Sequence, residues 1–188
     1  MASGLGNKLT GQIGEYLVCA ELGRRGLIAT PFSGNVPTFD VLATDALCRT
    51  VPIQVKASQS DSWPSDARLW MNLELNKTTG VQEKHGEVKI QHPDLIYVCV
   101  AIAAARGVDA TGGLDRFFIL TKIELQKICI SSYSAFMDRH DWRRPRNPAS
   151  YDNSYLISGL QEYEDNWQLI SKRLETSSPD QSLAAHGE

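Results

Sequence analysis

Two short apolar stretches carry the residue types that can do chemistry. The first is Phe39-Asp40-Val41-Leu42-Ala43-Thr44, with an aspartate at its end. The second is Val51-Pro52-Ile53-Gln54-Val55-Lys56, which ends in Gln-x-Lys. The turn-like segment Asp45-Ala46-Leu47-Cys48-Arg49 separates them, so the pair reads as a hairpin. A hairpin folded about Leu47 sets Asp40 opposite Gln54. The two-residue strand period then puts Gln54 and Lys56 on one face, and Ile53 and Val55 on the other. A carboxylate, an amide oxygen and an ammonium would meet at one edge of a largely buried sheet. Such groups are costly to bury without partners. A divalent cation is the natural partner for the two oxygens.

The arrangement resembles the PD-(D/E)XK nuclease superfamily, in the branch where glutamine replaces the second acid (Q-x-K). Asp40, Gln54, Val55 and Lys56 are the matching residues, and Pro37 stands three positions upstream of the aspartate rather than beside it. Gly11-Gln12-Ile13-Gly14-Glu15-Tyr16-Leu17-Val18 is similar to the G-x-x-G-E helix of restriction enzymes and Holliday-junction resolvases, with Glu15 as its glutamate. The resemblance spans residues 9–58, with strand order following it to about residue 120. It implies an α/β fold with a restriction-endonuclease-like core, a central mixed β-sheet flanked by helices. It also implies a Mg²⁺- or Mn²⁺-dependent endonuclease acting on DNA. The cation would be held by Asp40, Gln54, the Val55 backbone carbonyl and Glu15, directly or through water. Lys56 would orient or deprotonate the attacking water and offset charge on the phosphate. A nuclease fold that binds nucleic acid or protein without cutting is the rival reading, favoured by the near-neutral surface and by the neutral Gln54.

These residues need elements to position them. Leu9, Ile13, Tyr16, Leu17 and Ala20 recur at helical spacing over residues 9–25, with Thr10 as N-cap and Gly26 as the stop. Strands are expected at 27–32, 38–44, 50–58 and 68–75. The continuous apolar run 95–102 reads as a strand covered on both faces, and 117–120 as another. Segments 59–67 and 76–91 are polar and read as irregular, 33–37 and 105–113 as loops. Thr121 with Glu124 forms a capping box for a helix facing inward through Ile123, Leu125, Ile128 and Phe136. A proline- and arginine-rich loop covers 141–154, and a last helix 160–174 carries Trp167, Ile170 and Leu174 as its stripe.

Residues 1–175 are expected to form a single domain. The tail 176–188 lacks bulky apolar residues and reads as disordered. With 42% hydrophobic and 22% charged residues, no apolar run of membrane length and no signal-peptide pattern, a cytoplasmic globular protein is expected. Cys19, Cys48, Cys99 and Cys129 are widely spaced, which fits reduced buried thiols rather than a zinc site. A net charge of −3 argues against a basic surface all over, leaving a local patch. Arg139-His140-Asp141-Trp142-Arg143-Arg144-Pro145-Arg146 supplies one, and Arg143, Arg144 and Arg146 are the candidate phosphate contacts. His85, His92 and Glu74 read as surface residues. Cutting both strands of a duplex is simplest with two symmetric sites, which points to a homodimer. No P-loop, G-x-S-x-G or H-E-x-x-H motif competes.

Overall fold

The computed structural model describes residues 4–32, 38–103 and 113–176. Its elements are α1 (Gly4–Arg24), β1 (Ile28–Pro31), β2 (Val41–Thr44), β3 (Thr50–Ser58), β4 (Ser62–Asp66), β5 (Met71–Leu75), β6 (Gln82–Glu87), β7 (Ile96–Ala101), β8 (Arg116–Thr121), α2 (Lys122–Asp138), β9 (Asp152–Leu156) and α3 (Gln168–Thr176). They form two compact units. The first is drawn from Met1–Gln59, Leu95–Leu120 and Tyr163–Glu188, the second from Ser60–Asp94 and Thr121–Glu162. Pro37, the 105–113 loop up to residue 112 and the tail beyond Thr176 lie outside the described residues. None of the described helices is long and apolar enough to cross a membrane.

The first unit holds a five-stranded mixed sheet in the order β1-β2-β3-β7-β8. β1, β2 and β3 are antiparallel in succession, while β3 runs parallel to β7. The parallel step requires a crossover, and the chain leaves the unit between β3 and β7 to make it. Helices α1 and α3 pack on the sheet. Val18 and Leu22 of α1, Ile53 and Val98 of the sheet, and Ile170 and Leu174 of α3 share one buried cluster. Burying each such side chain contributes roughly 1.5–3 kcal/mol. As the apolar run predicts, Ile96 to Val100 are all buried.

Helix α1 begins well before the expected start. Thr10 is therefore no N-cap but an interior residue, whose hydroxyl donates to the Gly6 carbonyl one turn back (2.9 Å). Its end is the one expected. Gly26 has φ +81°, and Leu27 N–H closes on the Leu22 carbonyl at 3.1 Å in a Schellman turn. The expected last helix is shortened to Gln168–Thr176. The residues before it are committed elsewhere: Arg116 binds Glu164 at 2.6 and 2.7 Å, Asp165 N–H donates to the Phe117 carbonyl, and Asp165 adopts φ 51°. The stripe Trp167, Ile170 and Leu174 is nonetheless buried.

The second unit contains two antiparallel pairs, β4-β9 and β5-β6, with α2 packed against β9. Both segments expected to be irregular hold a strand. In β4, Trp63 is buried and stacks on Tyr155 with ring centroids 5.6 Å apart, so one large residue anchors an otherwise polar strand. In β6 only Gln82 is buried, which leaves no alternation to read. The capping box forms: Glu124 N–H donates to Thr121 Oγ1 (3.4 Å) and Thr121 N–H to Glu124 Oε2 (2.7 Å). The inward stripe of α2 is Leu125, Gln126, Cys129, Tyr133 and Met137; Ile123, Ile128 and Phe136 are half-buried.

Candidate active site

The turn between β2 and β3 sets the site. Asp45 Oδ1 accepts from Leu47 N–H and Arg49 N–H, both at 2.9 Å, and Oδ2 accepts from Arg49 Nε at 2.7 Å. Asp45 N–H donates to the Arg49 carbonyl, and Cys48 takes φ 60°. This closes a five-residue loop that pairs Thr44 with Thr50 and Val41 with Ile53. Asp40, one residue beyond, falls opposite Gln54 as the spacing requires, and Asp40 N–H donates to the Ile53 carbonyl at 2.9 Å. Cys48 is exposed at this loop, and Cys19 is only half-buried. The expectation of four buried thiols therefore holds for Cys99 and Cys129 alone.

Asp40 Oδ2 accepts two hydrogen bonds, one from Val55 N–H (2.8 Å) and one from the Gln54 side-chain amide. Gln54 thus turns its nitrogen, not its oxygen, toward the carboxylate. Lys56 follows two residues on, exposed and on the same strand face as Gln54. Glu15 comes from α1. Its carboxyl is held above the ordinary glutamate range, first by partial burial and second by the negative charge of Asp40. Cys19, one turn further along α1, has its thiol pushed up by burial and by the Glu15 charge. The structure therefore joins Asp40 to Gln54 and the Val55 backbone and sets Glu15 where it feels the Asp40 charge. Lys56 lies with Gln54 on the strand face opposite Val55 and Ala57, the two residues that α1 meets at Gly14. Among the described residues no three His, Cys, Asp or Glu side chains converge on a common point. Any cation here would rest on two carboxylates and neutral oxygens.

The raised Glu15 carboxyl has a consequence for stability. The folded state disfavours its ionised form, so stability is fully present below the ordinary glutamate range and declines as pH rises through the window up to the raised value. Glu15→Gln is expected to stabilise the metal-free protein at neutral pH by less than about 1 kcal/mol, the scale for partly solvated charges. The gain should vanish at acidic pH. Chemical denaturation of both proteins across that pH range checks it.

The other candidates lie in the second unit. Arg144 donates to the Asp152 carbonyl at 2.6 Å, and its guanidinium lies 5.1 Å from the Phe136 ring centre. Arg143 and Arg146 are exposed. Trp142 is tied by its indole N–H to Asp138 (2.8 Å) and by its carbonyl to Gln82 N–H (2.8 Å). His85 and Glu74 face each other at 3.6 Å, both exposed.

Neither a protein-family model nor a curated protein matches this chain. Among solved structures, the chain is similar to a bacterial homing endonuclease, I-Ssp6803I. The two are 13% identical, the match covers 90% of this chain and 95% of that one, and the TM-score is 0.41.

Two features of the site were not legible in the motif residues. One is the Asp45–Arg49 lock on the turn, whose signal is an aspartate at the first turn position with an arginine four residues on. The other is the contact of Gly14 with Ala57, which seats α1 on β3.

Proposed function

We propose that this protein is a metal-dependent endonuclease with a restriction-endonuclease-like core, hydrolysing phosphodiester bonds in DNA. The observation that carries this reading is the meeting of Asp40 with Gln54 and the Val55 backbone, beside a second carboxylate close enough to feel the Asp40 charge. The donor set is all oxygen, which suits a hard cation such as Mg²⁺ or Mn²⁺. Asp40 and Glu15 would hold it, with the Gln54 amide oxygen and the Val55 carbonyl as neutral ligands. When bound, the cation neutralises phosphate charge and polarises the scissile phosphorus centre. Lys56 contributes an ammonium on the same strand face, suited to orienting the attacking water and to offsetting charge on the phosphate. Arg143 and Arg146 are the exposed members of the arginine-rich loop and are the better candidates for phosphate contacts than Arg144, which is engaged within its own unit. Two copies of the chain would cut both strands of a duplex.

The binding-module reading draws on one specific observation. The Gln54 amide nitrogen donates to Asp40, so the amide meets the carboxylate as a hydrogen-bond partner rather than as a fellow oxygen ligand. Gln54→Glu separates the two readings. A third carboxylate should tighten Mn²⁺ binding by roughly tenfold or more. In an endonuclease it should preserve or raise Mn²⁺-supported cleavage. Tight metal binding with no cleavage of duplex, single-stranded or branched DNA, by this variant or by the wild type, favours the binding module.

A further inference from the structure

The residues next to the candidate ligands, rather than the ligands themselves, hold a feature that the motif leaves unassigned. Gly14 precedes Glu15 in α1, and Ala57 follows Lys56 in β3. These two neighbours touch. A methyl group at Gly14 would lie 2.5 Å from Ala57 Cβ, while its next contacts, Val55 Cγ1 and Ala57 Cα, would be at 3.5 and 3.7 Å. The first distance is well inside van der Waals contact, and Ala57 Cβ has no rotamer by which to withdraw. Any side chain at position 14 must therefore move the helix or the strand. The other two distances are ordinary packing. The helix thus approaches the strand as closely as a glycine and a methyl allow, at two residues that adjoin Glu15 and Lys56 in the chain.

We propose that Gly14 and Ala57 are positioning residues: their contact sets the separation between Glu15 on α1 and the Asp40, Gln54 and Lys56 group on the sheet. This deepens the endonuclease reading and rests on it for its consequence in catalysis. Misplacing a supporting group by about 1 Å commonly costs up to 10²-fold in rate. Residues that orient metal ligands typically matter by 10–100-fold.

The space can be exchanged between the partners. Gly14→Ala adds the offending methyl. Ala57→Gly removes the only atom that it meets too closely. The test uses the full chain as wild type, Gly14→Ala, Ala57→Gly and the double variant, each measured for Mn²⁺ affinity with the metal alone and for cleavage of a panel of duplex, single-stranded and branched DNA. Gly14→Ala should weaken Mn²⁺ binding by about tenfold and lower kcat by roughly 10–100-fold with KM little changed. The double variant should recover both. If Gly14→Ala does not fold, the double variant decides alone, recovery supporting the proposal and failure to fold or recover overturning it. A Gly14→Ala protein that is merely less stable, with Mn²⁺ affinity and kcat unchanged, shows a packing contact only and overturns it. If the wild type neither binds Mn²⁺ nor cuts, the endonuclease reading fails. Crystal structures of wild type and Gly14→Ala then judge the joint: displacement of the Glu15 carboxylate from Asp40 supports it, and an unmoved carboxylate refutes it.

Discussion

Asp40→Asn should abolish Mg²⁺-dependent DNA cleavage, by at least about 10³-fold, which corresponds to roughly 4 kcal/mol of transition-state stabilisation. The site has two carboxylates, and this substitution removes the charge of the one that both strands hold in place. The fold should survive. An asparagine carbonyl oxygen can still accept from Val55 N–H, which donates to Asp40 at 2.8 Å, and the loss of one negative charge relieves Glu15. Thermal unfolding at or slightly above the wild-type midpoint, together with lost Mn²⁺ binding, is the expected pair of results. Lys56→Ala is the companion. It should lose rate by roughly 10²-fold or more while keeping Mn²⁺ affinity, because an ammonium acts on the phosphate and water rather than on the cation. An Asp40→Asn protein that cuts at the wild-type rate would remove the carboxylate from the mechanism.

The largest effect on stability should come from a residue with no part in the chemistry. Gln82 is 1% exposed in the second unit. Its amide nitrogen donates to the carbonyls of Pro148 (2.7 Å) and Ser150 (3.0 Å), and its oxygen accepts from the Tyr133 hydroxyl (2.6 Å). Gln82→Leu keeps the volume but leaves a buried hydroxyl and two carbonyls without these partners. Each unsatisfied buried group costs about 1–3 kcal/mol, so a loss of roughly 3 kcal/mol or more is expected. At about 2–4 °C per kcal/mol for a chain of this size, the midpoint should fall by roughly 6–12 °C. Tyr133→Phe removes one of the three bonds and should cost about 1 kcal/mol. Calorimetry on both variants, with a double-mutant cycle, measures the network directly.

The legibility of the sequence varied with the kind of signal. The hairpin register was readable because a turn-like segment, Asp45-Ala46-Leu47-Cys48-Arg49, separates two apolar strands and centres the fold on Leu47. Together these leave one pairing that puts Val41, Ile53 and Val55 inside. The capping box at Thr121 and the stop at Gly26 were readable because each is a local arrangement of two or three residues. Strands β4 and β6 were not. Their burial rests on single residues, Trp63 and Gln82, and β4 pairs with β9, far along the chain. The early start of α1 was missed because Thr10, a good cap by type, spends its hydroxyl on the turn before it. At the site, spacing alone placed Asp40 opposite Gln54. It gave no indication that the Gln54 amide would turn its nitrogen toward the carboxylate, because an amide's two ends are alike in size and differ only in what they bond. The helix–strand contact at Gly14 was equally hidden, since a glycine in a helix looks like a weakness until the neighbour it admits is known.

Anomalous diffraction from crystals of the wild-type protein soaked in Mn²⁺ tests the central claim most directly. The account predicts one strong peak roughly 2.0–2.4 Å from an Asp40 carboxylate oxygen, with the Gln54 amide turned to present its oxygen and Glu15 on the same ion directly or through water. The peak should be absent from Asp40→Asn crystals soaked in the same way. A wild-type map with no peak at Asp40, or a peak that persists unchanged in Asp40→Asn, would contradict it.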